Sequence, residues 1–365
     1  MGIFDGIGKW KSSEGVSREN SYNLLRLLAA SFVIYGHMYI LNGDAAGNWL
    51  AIPVHTLGFK ILMIISGYMI TQSCVRDGDL LHYWTKRACR LLPGLAACIL
   101  LSAYVLGPLL TTLPIGEYIV HPATKHYLKN ILLAPVYALP GVFDTNIYPV
   151  AVNGSLWALP VEVSLYAVIW LVLFAGSPWK YRRALFTGIT LCVCALQLLR
   201  IAFFMDRVWI FWESEWYSAF GMYPYFFLGA AFYLLPVRKY CNTTVAAVFL
   251  IIGSVLRFQS AVGYELLSYV VLPYAVISFG EQKSVLSSKM PDITYGIFLW
   301  GFPIQQTFLY LCGRSGLHLS SNACFVICMA VAVLAGILSA RTIEKWGMQL
   351  GKRLTKKKEP RKIIE

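Results

Sequence analysis

Asn23-Leu-Leu-Arg26-Leu-Leu-Ala-Ala-Ser-Phe-Val-Ile-Tyr-Gly-His37 is apolar enough to enter a bilayer, yet it carries two ionisable side chains. An ionisable side chain at the centre of a membrane helix costs about 2.5–3.5 kcal/mol on insertion scales, so its presence marks a function by default. The spacing adds geometry. Eleven residues at about 100° each make three turns plus roughly 20°, which puts Arg26 and His37 on one helix face, about 16 Å apart along the axis. A fixed cation near one end and a base deeper in the bilayer suggest an anion held at the surface with its reactive end delivered to the base.

The rest of the chain agrees with a membrane setting. Of 365 residues, 58% are hydrophobic and only 13% charged, with a mean hydropathy of +0.60. Soluble domains carry about 25% charged residues. No cleavable leader is visible: the first twenty residues are polar and no small-residue cleavage site follows, so the first helix is expected to stay in the membrane. Apolar runs of spanning length fall near 22–42, 53–75, 91–112, 152–176, 184–204, 218–236, 242–257, 262–280, 293–312 and 322–341. The expected fold is therefore an all-α polytopic bundle of about ten transmembrane helices. A polar tail at 1–20 precedes a membrane domain at 21–344, and a basic tail follows at 345–365.

Positive charge tests this count. With a cytoplasmic N-terminus, the inside segments hold Lys9, Lys11 and Arg18, then Arg76, Lys86, Arg87 and Arg90, then Lys180, Arg182 and Arg183. They continue with Arg238 and Lys239, Lys283 and Lys289, and Lys352 to Lys358. The outside loops hold only Lys125, Lys129, Arg207, Arg257 and Arg314. The alternation obeys the positive-inside rule and puts both termini in the cytoplasm. The net charge of +13 is thereby spent on topology and anionic lipid, and no basic module for nucleic acid stands outside the membrane. The nine cysteines show no metal or disulfide spacing, so no metal is expected. Two outer segments stand out: the proline-rich 113–151, and the aromatic loop Asp206 to Trp216, which suits either the interfacial belt or sugar rings.

Further candidates sit along the spans. Lys60, Ser66 and Tyr68 are polar groups in the second, where Lys60 could also snorkel outward. Arg87 and Arg90, three apart, would share a helix face and suit phosphate oxygens as two guanidinium forks. Glu162 lies about as deep from the outer face as His37, a depth that allows a carboxylate–imidazole contact. Arg341 and Glu344, three apart, could pair.

Five segments in order resemble the acyltransferase 3 family of membrane enzymes that acylate sugars. Arg26 and His37 match its Arg-x10-His pattern, Met63 to Tyr68 its Ser-Gly segment, and Arg87 with Arg90 its Arg-x-x-Arg. Leu156, Trp157, Leu159 and Glu162 match its Leu-Trp-x-Leu-x-x-Glu, and Thr294 to Pro303 its Ser-Tyr-Gly segment. Two departures are Gly301, where many relatives have His, and Val163, where many have a second acid.

The resemblance implies a bacterial inner-membrane O-acyltransferase with acetyl-CoA as donor and a glycan or lipid-linked sugar as acceptor. Arg26, Arg87 and Arg90 would grip CoA phosphates, His37 would act as general base, and Glu162 would orient it. Lys60, Ser66 and Tyr68 are candidate oxyanion or positioning groups. Trp157, Tyr295 and Trp300 are candidates for the acceptor site. The rival reading is a secondary transporter with Arg26, His37 and Glu162 as a proton relay.

Overall fold

The computed structural model describes residues 19–355, apart from 50, 78, 150, 175–178, 204–209, 212–213, 216–218, 236 and 257–259. Residues 1–18, most of the aromatic loop, Arg257 and the tail lysines Lys356 to Lys358 lie outside the described residues.

The chain is a helical membrane bundle, and each of the ten apolar runs falls on a helix. These are α1 (Tyr22–Leu41), α2 (Val54–Asp77), α3 (Leu80–Leu101), α4 (Ala158–Phe174), α5 (Trp179–Ala202) and α6 (Tyr223–Leu234). They continue with α7 (Thr243–Val255), α8 (Ala261–Gly280), α9 (Thr294–Ser315) and α10 (Ser321–Arg341), followed by an amphipathic α11 (Ile343–Leu354).

Among the described residues, seven helical stretches are long and apolar enough to cross a membrane: those of α1, α2, α3, α4, α5, α8, and α10 with α11. The other three fall short for visible reasons. The 12 residues of α6 and 13 of α7 rise only about 18–20 Å, against a hydrocarbon core of about 30 Å. The 22 residues of α9 are long enough but include Pro303, Gln305 and Gln306.

The sequence reading began the third helix at residue 91. It begins a good ten residues earlier, where the Asp79 side chain caps it by accepting from the Leu81 N–H at 3.3 Å. Arg87 and Arg90 therefore ride on a helix rather than a loop. The helix continues through a π segment (Ser102–Leu106) to Leu110.

Loops meet in two groups. At one end, the Ser21 N–H donates to the Gly280 carbonyl at 2.9 Å. There, too, Asn23 donates to the Ser287 and Met290 carbonyls and Arg238 pairs with Glu281. At the opposite end, Asn42 donates to Ser321 at 2.9 Å, Trp49 to Ser254 at 2.7 Å, and the Thr112 N–H to the Gly141 carbonyl at 2.9 Å. Ten alternating passes produce the same two groups.

The tightest seam joins α2 to α6. A Cβ on Gly67 would lie 1.9 Å from the Phe226 carbonyl oxygen, and one on Gly229 would lie 2.1 Å from the Ile64 carbonyl oxygen. Each glycine admits the other helix's backbone, the close approach that drives association where lipid tails are as apolar as the helices. The outer segment 113–151 is pinned by Gln306, whose amide donates to the Tyr148 and Ala151 carbonyls at 2.7 Å each.

Candidate active site

Two cavities lie between these helices, opening toward opposite ends. The smaller, about 210 Å³, is lined by Arg26, Ser66, Arg87, Arg90, Glu162, Tyr166, Asp292 and Tyr295 among others. Arg26 from α1 and Arg90 from α3 both bind Oδ2 of Asp292, at 2.9 and 2.5 Å. The other Asp292 oxygen accepts from the Thr294 N–H at 3.3 Å, where α9 starts. Burial would raise this carboxyl, but the two guanidiniums outweigh it and hold it well below the usual carboxylate range.

Arg87 donates to Ser73 at 2.6 Å, and its Nε is buried without a partner. Three cations from two helices thus converge, with one carboxylate between two of them. A phosphate could take the same donors, since guanidinium forks bind its oxygens in pairs.

Glu162 forms the deep wall of this cavity. It accepts from Ser66 at 2.8 Å and from the Tyr166 hydroxyl one helical turn on. The cavity holds the cation triad and Glu162, but not His37.

His37 lines the larger cavity, about 1350 Å³, with His55, Lys60, Trp157, Gln197, Arg200, Glu265 and Phe302 among its walls. The His37 ring centroid is 5.6 Å from that of His55 and 5.5 Å from that of Phe302. A partition of two rings stands between the two linings. Phe59 lines the smaller and Trp157 the larger, and their rings meet edge to face at 5.3 Å.

Several sequence expectations need correction. Glu162 lines the smaller cavity and not that of His37, and there its Oε1 accepts from both Ser66 and Tyr166. Lys60 does not snorkel. It is 5% exposed and donates to Glu265 at 2.9 Å and to Tyr225 at 2.8 Å, in the seam of α2, α6 and α8. Tyr68 faces the basic end, where its hydroxyl donates to Glu281 at 2.8 Å. Ser66, as described, is spent on Glu162.

Of the three aromatic acceptor candidates, only Trp157 lines the larger cavity. Tyr295 belongs to the smaller and donates to the Leu91 carbonyl at 2.7 Å. Trp300 packs against the hydrophobic cluster that includes Leu299 and Phe143. Five residues apart on α9 they stand about 140° apart, so one face cannot present both. Gly301 turns toward Ile34 of α1, where a Cβ would sit 3.0 Å from the Ile34 Cδ1. Glu344 accepts from Ser339 at 2.7 Å, while Arg341 is exposed.

Sequence reasoning missed Asp292, Glu265 and His55. Asp292 carried a readable signal: it stands just before α9, at the end where Arg26 and Arg90 were expected. His55 carried one too, a second histidine at the outer end of the span that follows that of His37. Among the described residues, no group of three or more His, Cys, Asp or Glu could hold a metal ion.

Comparison with known proteins bears on this geometry. A family model described as an acyltransferase domain matches residues 19–341. An O-acetyl transferase of Shigella phage Sf6 is 25% identical over 349 residues, covering 90% of this chain and 96% of that protein. Nodulation protein 10 of Rhizobium leguminosarum bv. viciae is 28% identical over 183 residues, 47% of this chain and 48% of that protein. No solved structure matches.

Proposed function

Since this chain belongs to the acyltransferase 3 family, we propose that it moves an acetyl group from cytoplasmic acetyl-CoA to a hydroxyl of a surface or exported glycan, across a bacterial inner membrane. The observation that carries this reading is the pair of cavities separated by one aromatic contact. One presents Arg26, Arg87 and Arg90 at the basic end, and the other presents His37 at the opposite end. The positive-inside rule makes the basic end cytoplasmic, where acetyl-CoA is found.

In this mechanism the CoA phosphates bind Arg87 and compete with Asp292 for Arg26 and Arg90. The pantetheine arm runs along α1, whose eleven residues from Arg26 to His37 rise about 16 Å. Passage requires Phe59 and Trp157 to part. His37 takes the proton of the acceptor hydroxyl as its oxygen attacks the thioester carbonyl. The tetrahedral intermediate collapses, the C–S bond breaks, and the thiolate recovers the proton from His37. Glu162 holds the donor cavity's wall through Ser66 and Tyr166 rather than orienting His37. The glycan enters the larger cavity, whose volume and aromatic rim suit a sugar ring. The Sf6 relative's name supports the acetyl group.

The proton-relay alternative needs Arg26, His37 and Glu162 in sequence, and the partition interrupts that path. The test uses inside-out vesicles of the producing cells carrying wild type or His37→Ala at equal levels, fed acetyl-CoA labelled in the acetyl group. Label should reach the glycan only with His37 present. Equal transfer by both would refute the base assignment.

A further inference from the structure

The thioester oxyanion needs a hydrogen-bond donor, and the three groups expected to serve are committed elsewhere. Ser66 donates to Glu162, Tyr68 to Glu281, and Lys60 to Glu265 and Tyr225. Of the three only Lys60 lines the cavity of His37, and its ammonium is held there in an ion pair, so the group packed against the His37 ring is the donor to consider.

His55 stands there by construction. It sits in the first turn of α2, delivered by a short hairpin in which Asn48 and Trp49 pair with Pro53 and Ile52. Its seat exists because residue 36 is glycine. A Cβ on Gly36 would lie 2.7 Å from both the Cβ and the backbone nitrogen of His55, and 3.0 Å from its Nδ1. The residue next to His37 is thus reduced to a hydrogen so that a second imidazole can dock. The Nδ1 of His55 is sealed against this crossing without a partner. Nε2 is the nitrogen left to serve the cavity, which both histidines line. Leaving a buried polar atom unpaired costs about 1–3 kcal/mol, a cost that interhelical packing alone does not explain.

We propose that His55 is a catalytic residue that donates its Nε2–H to the carbonyl oxygen of the acetyl thioester as that oxygen becomes an oxyanion, while His37 removes the acceptor's proton. His55 keeps its own proton throughout. The new C–O bond forms as charge moves onto the carbonyl oxygen. That charge returns when the C–S bond breaks, and the proton held by His37 passes to sulfur. The inference rests on the transferase reading above.

The test compares His55→Gln with His55→Met, near-equal in size and differing in an amide N–H. Both are assayed in the labelled acetyl-CoA vesicles beside wild type and His37→Ala, with rates taken per folded protein. His55→Met should lose about 10²–10³-fold in kcat, the usual effect of removing one oxyanion donor, with KM for acetyl-CoA unchanged. His55→Gln should recover a measurable part of that rate. Equal impairment of the two, full activity of His55→Met, or a raised KM with kcat retained would each overturn the proposal. If His37→Ala is inactive while His55→Met is not, the oxyanion assignment falls alone. If His37→Ala is active, or wild type transfers no label, the parent reading falls and takes this inference with it.

Discussion

Lys60→Met is the perturbation with the clearest expected size. The Lys60 ammonium lies 2.9 Å from Glu265, with side chains only 6% and 8% exposed. At an effective dielectric constant of about 20, two unit charges at this distance attract by about 6 kcal/mol. Desolvation offsets much of that, so the net worth of the pair is small, but removing one partner leaves a buried charge and costs about 3–5 kcal/mol. Glu265 is poorly placed to absorb the loss, because its Oε1 is already buried without a partner. Scaled to 365 residues, the usual unfolding entropy of about 2.1 cal/mol/K per residue converts this into a drop in Tm of about 4–6 °C. Lys60→Met with Glu265→Gln removes both charges and should recover most of that drop. Thermal unfolding in detergent, followed by the fluorescence of the 11 tryptophans, reads all the variants. An unchanged Tm in Lys60→Met would mean that the ammonium reaches water. A double variant that falls by the sum of the two singles would mean that the groups are uncoupled. Either result refutes the reasoning.

Three further outcomes are expected. Gly67→Ala places a methyl where the Phe226 carbonyl oxygen now lies 1.9 Å from the Cβ position; the cost should reach about 3 kcal/mol, the upper end for overpacking, and show as lost folded protein on gel filtration. Trp157→Ala removes half of the ring contact with Phe59, so labelled acetyl-CoA should be hydrolysed faster without acceptor while transfer to glycan falls. Asp292→Asn should destabilise the protein by a constant amount at neutral pH. The native carboxyl sits below its unfolded value of about 3.9, so its contribution is complete above that pH and is lost as pH falls through the folded value. Denaturant unfolding of both proteins should therefore converge only on acidification below about pH 4.

Hydropathy and charge made the bundle legible, because each crossing must be apolar for its full length and each inner loop basic. Three helices depart from the spanning pattern locally: α6 and α7 are short, and α9 carries Gln305 and Gln306, which are fully buried among its neighbours. The 26/37 spacing follows from helix geometry alone, and depth could not say which side of a helix faces which neighbour. Glu162 and His37 are level in the sequence reading and separated in space by the Phe59–Trp157 contact. Lys60 and Tyr68 looked available because their partners, Glu265 and Glu281, are more than 200 residues away in the chain. Gly36 carries no signal of its own in the sequence, and its meaning emerges only with His55 against it.

The aromatic partition has an electrical consequence. A membrane holds about 2.3 kcal/mol per elementary charge for each 100 mV across it. An open file of polar groups from the arginines to the outer vestibule would let protons run down that gradient. Phe59 against Trp157 puts two apolar rings, rather than polar groups, between the linings of the two chambers. In the proposed reaction only a thin uncharged arm with its acyl group crosses between them, while the phosphates stay on one side and the acceptor on the other. Under the proposed function, a molecule on one face of the membrane is modified with a reagent from the other, without short-circuiting the membrane between them.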